Sequence, residues 1–540
     1  MSEHSERTEN TAEPLSSVAP QTDQPWARLD KRMLLVHPVT EVVKFIPVLI
    51  GSVILGTSSG NHGWSIIPLV LIVGFALTRW FTTTYRVGPT HVELRTGLIQ
   101  RKKLSVPRSR IRSVDIEADL LHRLLGLAVL AIGTGQQADS GEKFKLDALD
   151  ARLVPELRAA LLAHTAAPNS VAGQPVTDAD PNDAAAQEDQ ASPPAREIGH
   201  WQPRWVRYAP LSLTGFAIIA PIVGLAFQYG VGQVLFRSDA VRRVENGGAM
   251  IVAISAVALV VVIVLVVSAA ACARYLATYF GLTVLDDSRT LQLRHGLFTT
   301  RQITLDLARF RGATVNEPLL LRLAGAAELE AIMVGENPRQ KILPQAPRPA
   351  IEHTLGHLLA PNDLQDKVIA PQPIAHPGSA PLLAHGAVAR RRRYNRTLAP
   401  IAVAAAVMLI VSLAGVAFSP WWWCVPILLV PLAIALAEDR YRGLGHTVLP
   451  ETATGPAWLI TRSGSLDRDR DCLEAPGVIG WTVRQSFFQR RAGVATVVAA
   501  TAAGKKRYHV LDIELDQAWA LIDSVTPGQL GDRTSRLDKR

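Results

Sequence analysis

The chain has little cysteine and little charge for its length. Its three cysteines (Cys272, Cys424 and Cys472) lie far apart in 540 residues, which excludes a disulfide framework and a paired-cysteine metal site. Only 19% of the residues are charged, whereas 48% are hydrophobic and the mean hydropathy is +0.17. The apolar residues are bunched in long uncharged runs, which is typical of a membrane protein.

Motifs for catalysis are also missing. The stretch GTGQQA at 133–138 resembles a dinucleotide-binding turn, but a turn and a strand pattern follow it instead of a helix. His353 and His357 have the spacing of two metal ligands on a helix, yet a third ligand is not evident and a solvated helix face explains them better. We therefore expect no enzyme, no metal and no cofactor. A site assembled between domains is the alternative left open for an enzyme.

Six apolar segments, arranged in three pairs, predict membrane hairpins, because a bilayer core needs about 20 apolar residues of helix. Ala249–Ala273 has no charged residue, whereas Val42–Thr57 is short, contains Lys44 and Pro47, and is also compatible with an interfacial helix. Tryptophans such as Trp80 lie at segment ends, where indole rings favour the headgroup region. The pairs are Val42–Thr57 with Trp64–Phe81, Tyr208–Phe236 with Ala249–Ala273, and Leu398–Phe418 with Trp421–Ala437.

Basic residues flank these pairs and predict their orientation. The run Arg390–Arg393, with Arg396, lies at the start of the third pair, and the turns within the first and third pairs hold no Lys or Arg. The middle turn departs from this pattern with Arg237, Arg242 and Arg243. Because loops rich in Lys and Arg stay in the cytoplasm, both termini and all three large soluble regions are predicted to be cytoplasmic. The net charge of +9 is thereby assigned to topology, and no nucleic acid partner is expected.

A pattern recurs in the soluble region after each pair. Two glycines lie 29 residues apart, an arginine stands three residues before the second glycine, and strand-like runs lead to a final amphipathic helix. We expect each arginine to be structural, bonding a carbonyl or carboxylate at a bend, and ligand binding is the alternative. The marker residues are Gly97, Arg123 and Gly126; Gly296, Arg322 and Gly325; and Gly464, Arg490 and Gly493. The helix faces are Leu153, Leu157 and Leu161; Ile351, Leu355 and Leu358; and Leu515, Trp519 and Ile522.

The motifs Gly97-Leu98, Arg110-Ile111 and Leu120 to Gly126 resemble those of the bacterial pleckstrin-homology-like (PH-like) domain of the YdbS/YdbT membrane protein family. The second soluble region matches at Gly296-Leu297, Arg311 and Leu319 to Gly325. In the third, Ser465 replaces the leucine, Ile479 lacks the preceding arginine, and Phe487-Phe488 replace the leucine pair. The resemblance implies PH-like domains in a bacterial cell membrane, and it implies a fold more firmly than an activity.

The predicted fold is a multi-pass α-helical membrane protein. Three transmembrane hairpins with six helices carry three cytoplasmic PH-like β domains, each closed by a C-terminal amphipathic helix. The expected order is a disordered tail at 1–38, hairpin 39–82, domain 83–164, disordered linker 165–200, hairpin 206–277, domain 278–360, linker 361–389, hairpin 397–437, divergent domain 438–527 and a tail at 528–540.

A basic cluster in the first domain is the candidate lipid- or partner-binding site. It is dense, and it is expected near the anionic cytoplasmic leaflet, although a solvated basic face is the alternative. The chain is therefore predicted to be a membrane-anchored scaffold that binds protein partners, its own domains or anionic lipid headgroups. A protein of the same family is one possible partner, and a transporter or lipid-handling component is the alternative function. The cluster consists of Arg101, Lys102, Lys103, Arg108, Arg110 and Arg112.

Overall fold

The structure is a computed structural model of the chain. It describes residues 26–162, 195–212, 248–359 and 376–528, together with scattered residues between 217 and 228. Within the long ranges the gaps are 61–62, 89, 98–100, 112, 134–143, 336–337, 417–418 and 453–454. Residues up to Arg110 form one compact unit, and those from Ile111 onwards form a second.

The first unit joins three helices to an antiparallel sheet in the order β1-β2-β3-β4. The predicted helix Val42–Thr57 is instead two helices that meet at Phe45, where Pro47 occupies the first turn of the second helix. Trp80 lies near the end of α3 and is buried, and its Nε1 donates to the carbonyl oxygen of Asp30 at 3.1 Å. The elements are β1 (Ala27–Arg28), α1 (Met33–Lys44), α2 (Ile46–Ser59), α3 (Gly63–Thr82), β2 (Thr84–Val87), β3 (His91–Thr96) and β4 (Lys102–Pro107).

The second unit begins with a seven-stranded antiparallel sheet in the order β7-β6-β5-β11-β10-β9-β8. Its elements are β5 (Ser113–Ala118), α4 (Leu120–Leu124), β6 (Leu127–Gly133), β7 (Phe144–Asp150), α5 (Val154–Leu162), β8 (Arg196–His200), a 3-10 helix at Pro203–Leu211, α6 (Gly248–Tyr279), β9 (Thr283–Asp286), β10 (Thr290–His295) and β11 (Thr300–Asp306). The sheet thus combines three groups of strands. Strands β5–β7 belong to the first soluble region, β8 precedes the second predicted hairpin, and β9–β11 follow it.

Two further sheets follow, in the orders β14-β13-β12-β17-β16-β15 and β18-β19-β20. The first is built around β12 (Phe310–Pro318), α7 (Leu319–Leu323), β13 (Ala326–Met333), β14 (Arg339–Pro347), α8 (Arg348–Leu359), α9 (Ala387–Leu413), α10 (Pro420–Arg442), β15 (Gly445–Leu449), β16 (Trp458–Gly464) and β17 (Asp467–Glu474). The last contains β18 (Val478–Arg484), α11 (Phe487–Arg491), β19 (Val494–Thr501), β20 (Arg507–Glu514) and the final helix α12 (Leu515–Val525).

The soluble strands and helices that come after each successive helix pair form the first, second and third segments of the chain. The third segment has the same order of elements as the second. Four strands come first, a short helix follows the fourth strand, and two more strands and a closing helix complete the segment. Each of these two segments packs its two sheet halves and its closing helix around one hydrophobic core. The closing-helix faces agree with the sequence pattern except at Leu153, which is 61% exposed and precedes α5.

Three helices are long and apolar enough to cross a membrane: Met250–Tyr279, Ala387–Leu413 and Trp421–Arg442. The first helix pair contains the shorter apolar helices Met33–Val42 and Ile66–Thr82. Tyr208, the predicted start of another membrane segment, is buried in the 3-10 helix, and most of Tyr208–Phe236 lies outside the described residues. The described residues therefore contain three of the six predicted spanning helices at full length.

Residues ahead of each predicted helix pair bond to the strand that follows it, through a strand in the first two cases and through an isolated bridge in the third. Ala27 pairs with Tyr85, and Arg196–His200 pairs with β9, although 165–200 was predicted as a disordered linker. Before the third pair, an isolated bridge joins Leu383 to His446, within the predicted linker 361–389. Because neighbouring antiparallel strands flank each helix pair, the chain leaves and re-enters its sheet at adjacent positions.

Candidate functional site

The first joint connects the first and second segments through strands β5 and β11. Gln302 pairs with Ile116, and Arg301 lies opposite Glu117, with 3.7 Å between the Nε of Arg301 and the carboxylate. Beside these strands, the Nη1 atom of Arg123 donates to the carbonyl oxygen of Leu297 at 3.1 Å. The two segments are therefore held by strand pairing, an ion pair and an arginine clamp on a turn.

The second joint connects the second and third segments in the same way, through β12 and β17. Asn316 lies opposite Asp469 and donates to its carboxylate at 2.8 Å. The Nη1 atom of Arg322 donates to the carbonyl oxygen of Ser465 at 3.4 Å, and its Nη2 lies 2.8 Å from the carboxylate of Asp439 at the end of α10. Arg322 thus also connects the second joint to α10, one of the helices long and apolar enough to cross a membrane.

The two joints share one register. Arg301 and Asp469 each lie five residues after the first marker glycine of their segment, Gly296 or Gly464, which we call the turn glycine. The residues opposite them, Glu117 and Asn316, each lie nine positions before the second marker glycine, Gly126 or Gly325, which follows a short helix. The clamped carbonyl always belongs to the residue directly after the turn glycine, Leu297 or Ser465. Arg123 and Arg322, which were predicted to bond at a bend of their own domain, therefore bind the next segment instead.

The turn glycines are required by geometry. Gly296 and Gly464 have φ angles of 118° and 108°, and a Cβ atom at either position would collide with a backbone carbonyl oxygen, that of Thr299 or Asp467. The glycine keeps the turn tight enough for the arginine of the preceding segment to reach the next carbonyl. This explains why glycine occupies both of these turn positions.

The third segment has the same edge, and within the described residues β19 is the one strand that pairs with β18. Strand β18 lies at the end of its sheet, and Ile479 on it is 71% exposed. Arg490, the counterpart of Arg123 and Arg322, is exposed and has no hydrogen-bond or ion-pair partner within the described part of the chain. This edge, formed by β18 and α11, is the open edge of the molecule.

A cleft of about 800 Å³ lies in the third segment beside the start of α9. Four arginines line it, against a single carboxylate among its described lining residues. The carboxylate of Asp512 is held by Arg392 at 3.0 Å, Arg393 at 2.8 Å and Gln489 at 2.7 Å. The arginines are Arg392, Arg393, Arg396 and Arg484.

In the sequence, Arg392, Arg393 and Arg396 indicated only the orientation of the helix pair, and Asp512 was not predicted to contact them. That aspartate has a φ of 56° at a bulge of β20, a conformation uncommon for a residue with a side chain. The signal in the sequence was the arginine run Arg390–Arg393 with Arg396 at the start of an apolar helix. Its partner lies more than a hundred positions away, and no local pattern indicates that contact.

The predicted basic cluster lies in the first unit, at β4 and the short 3-10 helix after it, except for Arg112, which lies outside the described residues. Arg101, Lys102 and Lys103 are exposed, and the Nζ of Lys103 is 2.8 Å from the carboxylate of Glu93. Hydrogen bonding to Lys103 lowers the pKa of the Glu93 carboxyl below its ordinary value. Lys103 is thus already paired, while Arg108 is half-buried and Arg110 exposed.

The remaining candidate for a metal, the pair His353 and His357, lies on α8 with ring centroids 4.6 Å apart. No group of three or more His, Cys, Asp or Glu side chains that could hold a metal ion occurs among the described residues. Burial lowers the pKa of His357 below its usual value. The pair therefore has no third ligand in the part of the chain that the structure describes.

Comparison with known proteins identifies the domain type. A family model described as bacterial PH domain matches residues 38–165 and 218–359, which together make up half of the chain. The third segment lies outside both matched regions. No curated protein and no solved structure matches the chain. The chain belongs to the bacterial PH domain family.

Proposed function

We propose that the chain is a membrane-anchored scaffold of three PH-like domains in a bacterial cell membrane. All three domains face the cytoplasm, and the open edge of the third binds a PH-like domain of another chain. The observation that carries this proposal is the joint that occurs twice within the chain. Arg123 and Arg322 each hold the turn of a following domain, whereas Arg490 has no such turn to hold in the described structure.

Strand addition is a common way to bind a protein at an exposed sheet edge, because the backbone groups of the edge strand supply the affinity. Two sheets of this chain already continue from one segment into the next by this means. A partner at β18 would extend the three-stranded sheet in the same manner, with its turn carbonyl at Arg490.

The charge of the open edge indicates which residue the partner should place opposite it. Arg484 occupies the position that Glu117 and Asn316 hold in the two joints, nine residues before the second marker glycine. The residue opposite Arg484 should therefore be acidic, as Asp469 is in the second joint. In any copy of this chain the corresponding residue of the first domain is Lys102, and like charges directly opposite are destabilising. A different chain of the family, with an acid at that position, fits the edge better.

The test places a photo-crosslinking amino acid at Ile479 in the full chain, expressed in its own host. We expect a covalent adduct with a second protein that contains a PH-like domain, identified by mass spectrometry. The crosslinker at Leu153, which is also exposed but lies before α5, should give no such adduct.

Arg490→Glu should reduce the Ile479 adduct at least fivefold, because it replaces the clamp on the partner's turn with a charge that repels a carbonyl. Arg491→Glu is the matched control, since Arg491 is exposed on the same short helix but does not hold the clamp position. An adduct that lacks a PH-like domain, or equal adducts in the two variants, would contradict the proposal.

A further inference from the structure

The strongest unexplained feature is the arginine cleft of the third segment. Its charge is unbalanced: four arginines face one carboxylate, and that carboxylate is already bound by Arg392 and Arg393. Arg396 and Arg484 are exposed and have no hydrogen-bond or ion-pair partner within the described ranges. The cleft therefore keeps a net positive charge that its own residues do not neutralise.

A buried arginine inside the cleft also has an unused hydrogen-bond donor. Arg393 is 9% exposed, and its Nε atom is buried without a hydrogen-bond partner in the described chain. A buried donor left in this way is costly unless something else accepts its hydrogen. Asp512 orients the other face of the same guanidinium from a left-handed backbone position. Such local strain is typical of positions where a side chain is held ready for a ligand.

The chemistry of the cleft favours phosphate. Guanidinium groups present several donors in a planar fork that matches the oxygens of a phosphate, and charged hydrogen bonds of this kind are strong. His509, which also lines the cleft, adds no charge at neutral pH because burial lowers its pKa, with Arg484 acting in the same direction.

The position of the cleft favours a lipid. Arg393 precedes Ala399 by six residues of helix, which is about 9 Å along α9. Apolar residues follow on that helix, with Val403 62% and Val407 53% exposed, and Phe488 at the cleft is 71% exposed. The headgroup layer on each side of a bilayer is about 5–8 Å thick, so the arginines reach the depth of headgroup phosphates when the apolar part of α9 lies in the hydrocarbon.

We propose that this cleft binds the phosphate headgroup of an anionic phospholipid, with the acyl chains lying along the apolar face of α9. The ligand is held by Arg396 and Arg484 at the rim and by the free donor of Arg393 inside. The site adjoins the open edge, because Arg484 is the last residue of β18, whereas Arg393 and Arg396 lie on α9. The two proposals therefore share Arg484, and Arg396→Gln tests the lipid site without changing the open edge.

Native mass spectrometry of the full chain in a neutral detergent tests this directly. Dioctanoyl phosphatidylglycerol and dioctanoyl phosphatidylcholine are titrated separately, and the fraction of protein that retains one lipid is measured. We expect half-saturation with phosphatidylglycerol at a concentration at least tenfold lower. Equal retention of the two lipids would overturn the proposal.

Arg396→Gln should weaken phosphatidylglycerol retention about tenfold, the size expected for the loss of one charged hydrogen bond. Arg484→Gln, in the soluble part of the site, should do the same and serves if Arg396→Gln fails to fold. Arg491→Gln, exposed outside the cleft, should bind as the unchanged protein does. If both cleft variants bind as tightly as Arg491→Gln, the cleft is not the lipid site.

The source of the phosphate is settled by competition. Glycerol 1-phosphate at the same concentration as the lipid should leave the phosphatidylglycerol adduct unchanged, because it lacks the acyl chains that pack on α9. Displacement of the lipid by an equal concentration of glycerol 1-phosphate would show that the cleft takes a soluble phosphate, which overturns the lipid assignment.

Discussion

The Nδ1 atom of His446 lies 2.9 Å from the Nε2 atom of His385, and both rings are buried. The Nδ1 of His385 in turn lies 2.6 Å from the carbonyl oxygen of Leu511, so it must carry the proton of that hydrogen bond. His385 can then accept from His446 only if it is neutral. In the neutral pair His446 donates to His385, and burial disfavours a positive charge on either ring. The pair lies next to Leu511, which lines the arginine cleft.

This arrangement predicts a loss of stability in mild acid. Burial lowers the pKa of His446 from 6.5 to about 4, and the neighbouring His385 acts in the same direction. Between pH 6.5 and 4 the unfolded chain binds a proton at His446 that the folded chain does not bind. The contribution of His446 to the free energy of unfolding is therefore fully present above pH 6.5 and is lost as the pH falls towards 4. The pKa difference corresponds to about 3 kcal/mol.

Thermal unfolding of the detergent-solubilised chain between pH 7.5 and 4.5 measures this effect. His446→Asn, whose side-chain amide can still donate to His385, should unfold at a midpoint that depends less on pH. His353→Asn, at an exposed histidine, should keep the pH dependence of the unchanged protein. A pH dependence that is the same in all three proteins would contradict the role of the buried pair.

The turn at Gly464 predicts a strong substitution effect. Gly464→Ala places a Cβ against the carbonyl oxygen of Asp467 at a φ of 108°, and we expect it to destabilise the third segment by about 2 kcal/mol or more. Gly480→Ala is the control, because a Cβ there has no atom within 4 Å. Tryptophan fluorescence during chemical unfolding reports both, and equal midpoints for the two variants would show that the turn is less constrained.

The basic cluster of the first domain predicts contact with anionic lipid. In the full chain reconstituted into vesicles, a photoactivatable phosphatidylglycerol should label residues near Arg101–Lys103 more than a phosphatidylcholine probe does. Labelling should fall as salt rises, because screening acts over about 10 Å at 0.1 M. The triple variant Arg101→Gln, Lys102→Gln and Lys103→Gln should lose the labelling, while Arg294→Gln keeps it. Labelling that ignores salt would leave the cluster as an orientation signal.

Orientation is predicted for every soluble region. Reporter domains fused after Ala163, after Pro361 and after Arg540 should all give cytoplasmic signals, because arginines flank the helix pairs on that side. A single signal from the opposite side of the membrane would contradict the arrangement of hairpins, while a fusion in the turn at Ser419 should report the outside and serves as the internal control.

The sequence predicted the domain type, because the turn glycines that mark it are local requirements. Gly296 and Gly464 must be glycine for the turn to close, so their spacing survives where the surrounding residues differ. The joints between segments were not predicted. The carbonyl bound by Arg123 belongs to Leu297, 174 positions away, and nothing near Arg123 in the sequence indicates that distance.

The strands ahead of the helix pairs were also missed. Arg196–His200 is short and follows a stretch rich in proline, alanine and acids, so its composition is that of a linker. It becomes a strand because β9 offers an edge after the chain has passed through the intervening helical region, and tertiary pairing outweighs local preference. The cleft was missed for a similar reason, since Asp512 meets Arg393 only in the folded chain.

The position of Arg196–His200 in the chain has a consequence for synthesis. The ribosome makes this strand before α6 and its neighbour β9 after α6, so the strand lacks β9 until α6 has emerged. If α6 crosses a bilayer, its insertion becomes a step within the folding of the domain, and the sheet closes only once α6 is in place. A chain whose insertion stalls would therefore expose an unpaired strand, a defect that quality-control proteases recognise as unfolded chain.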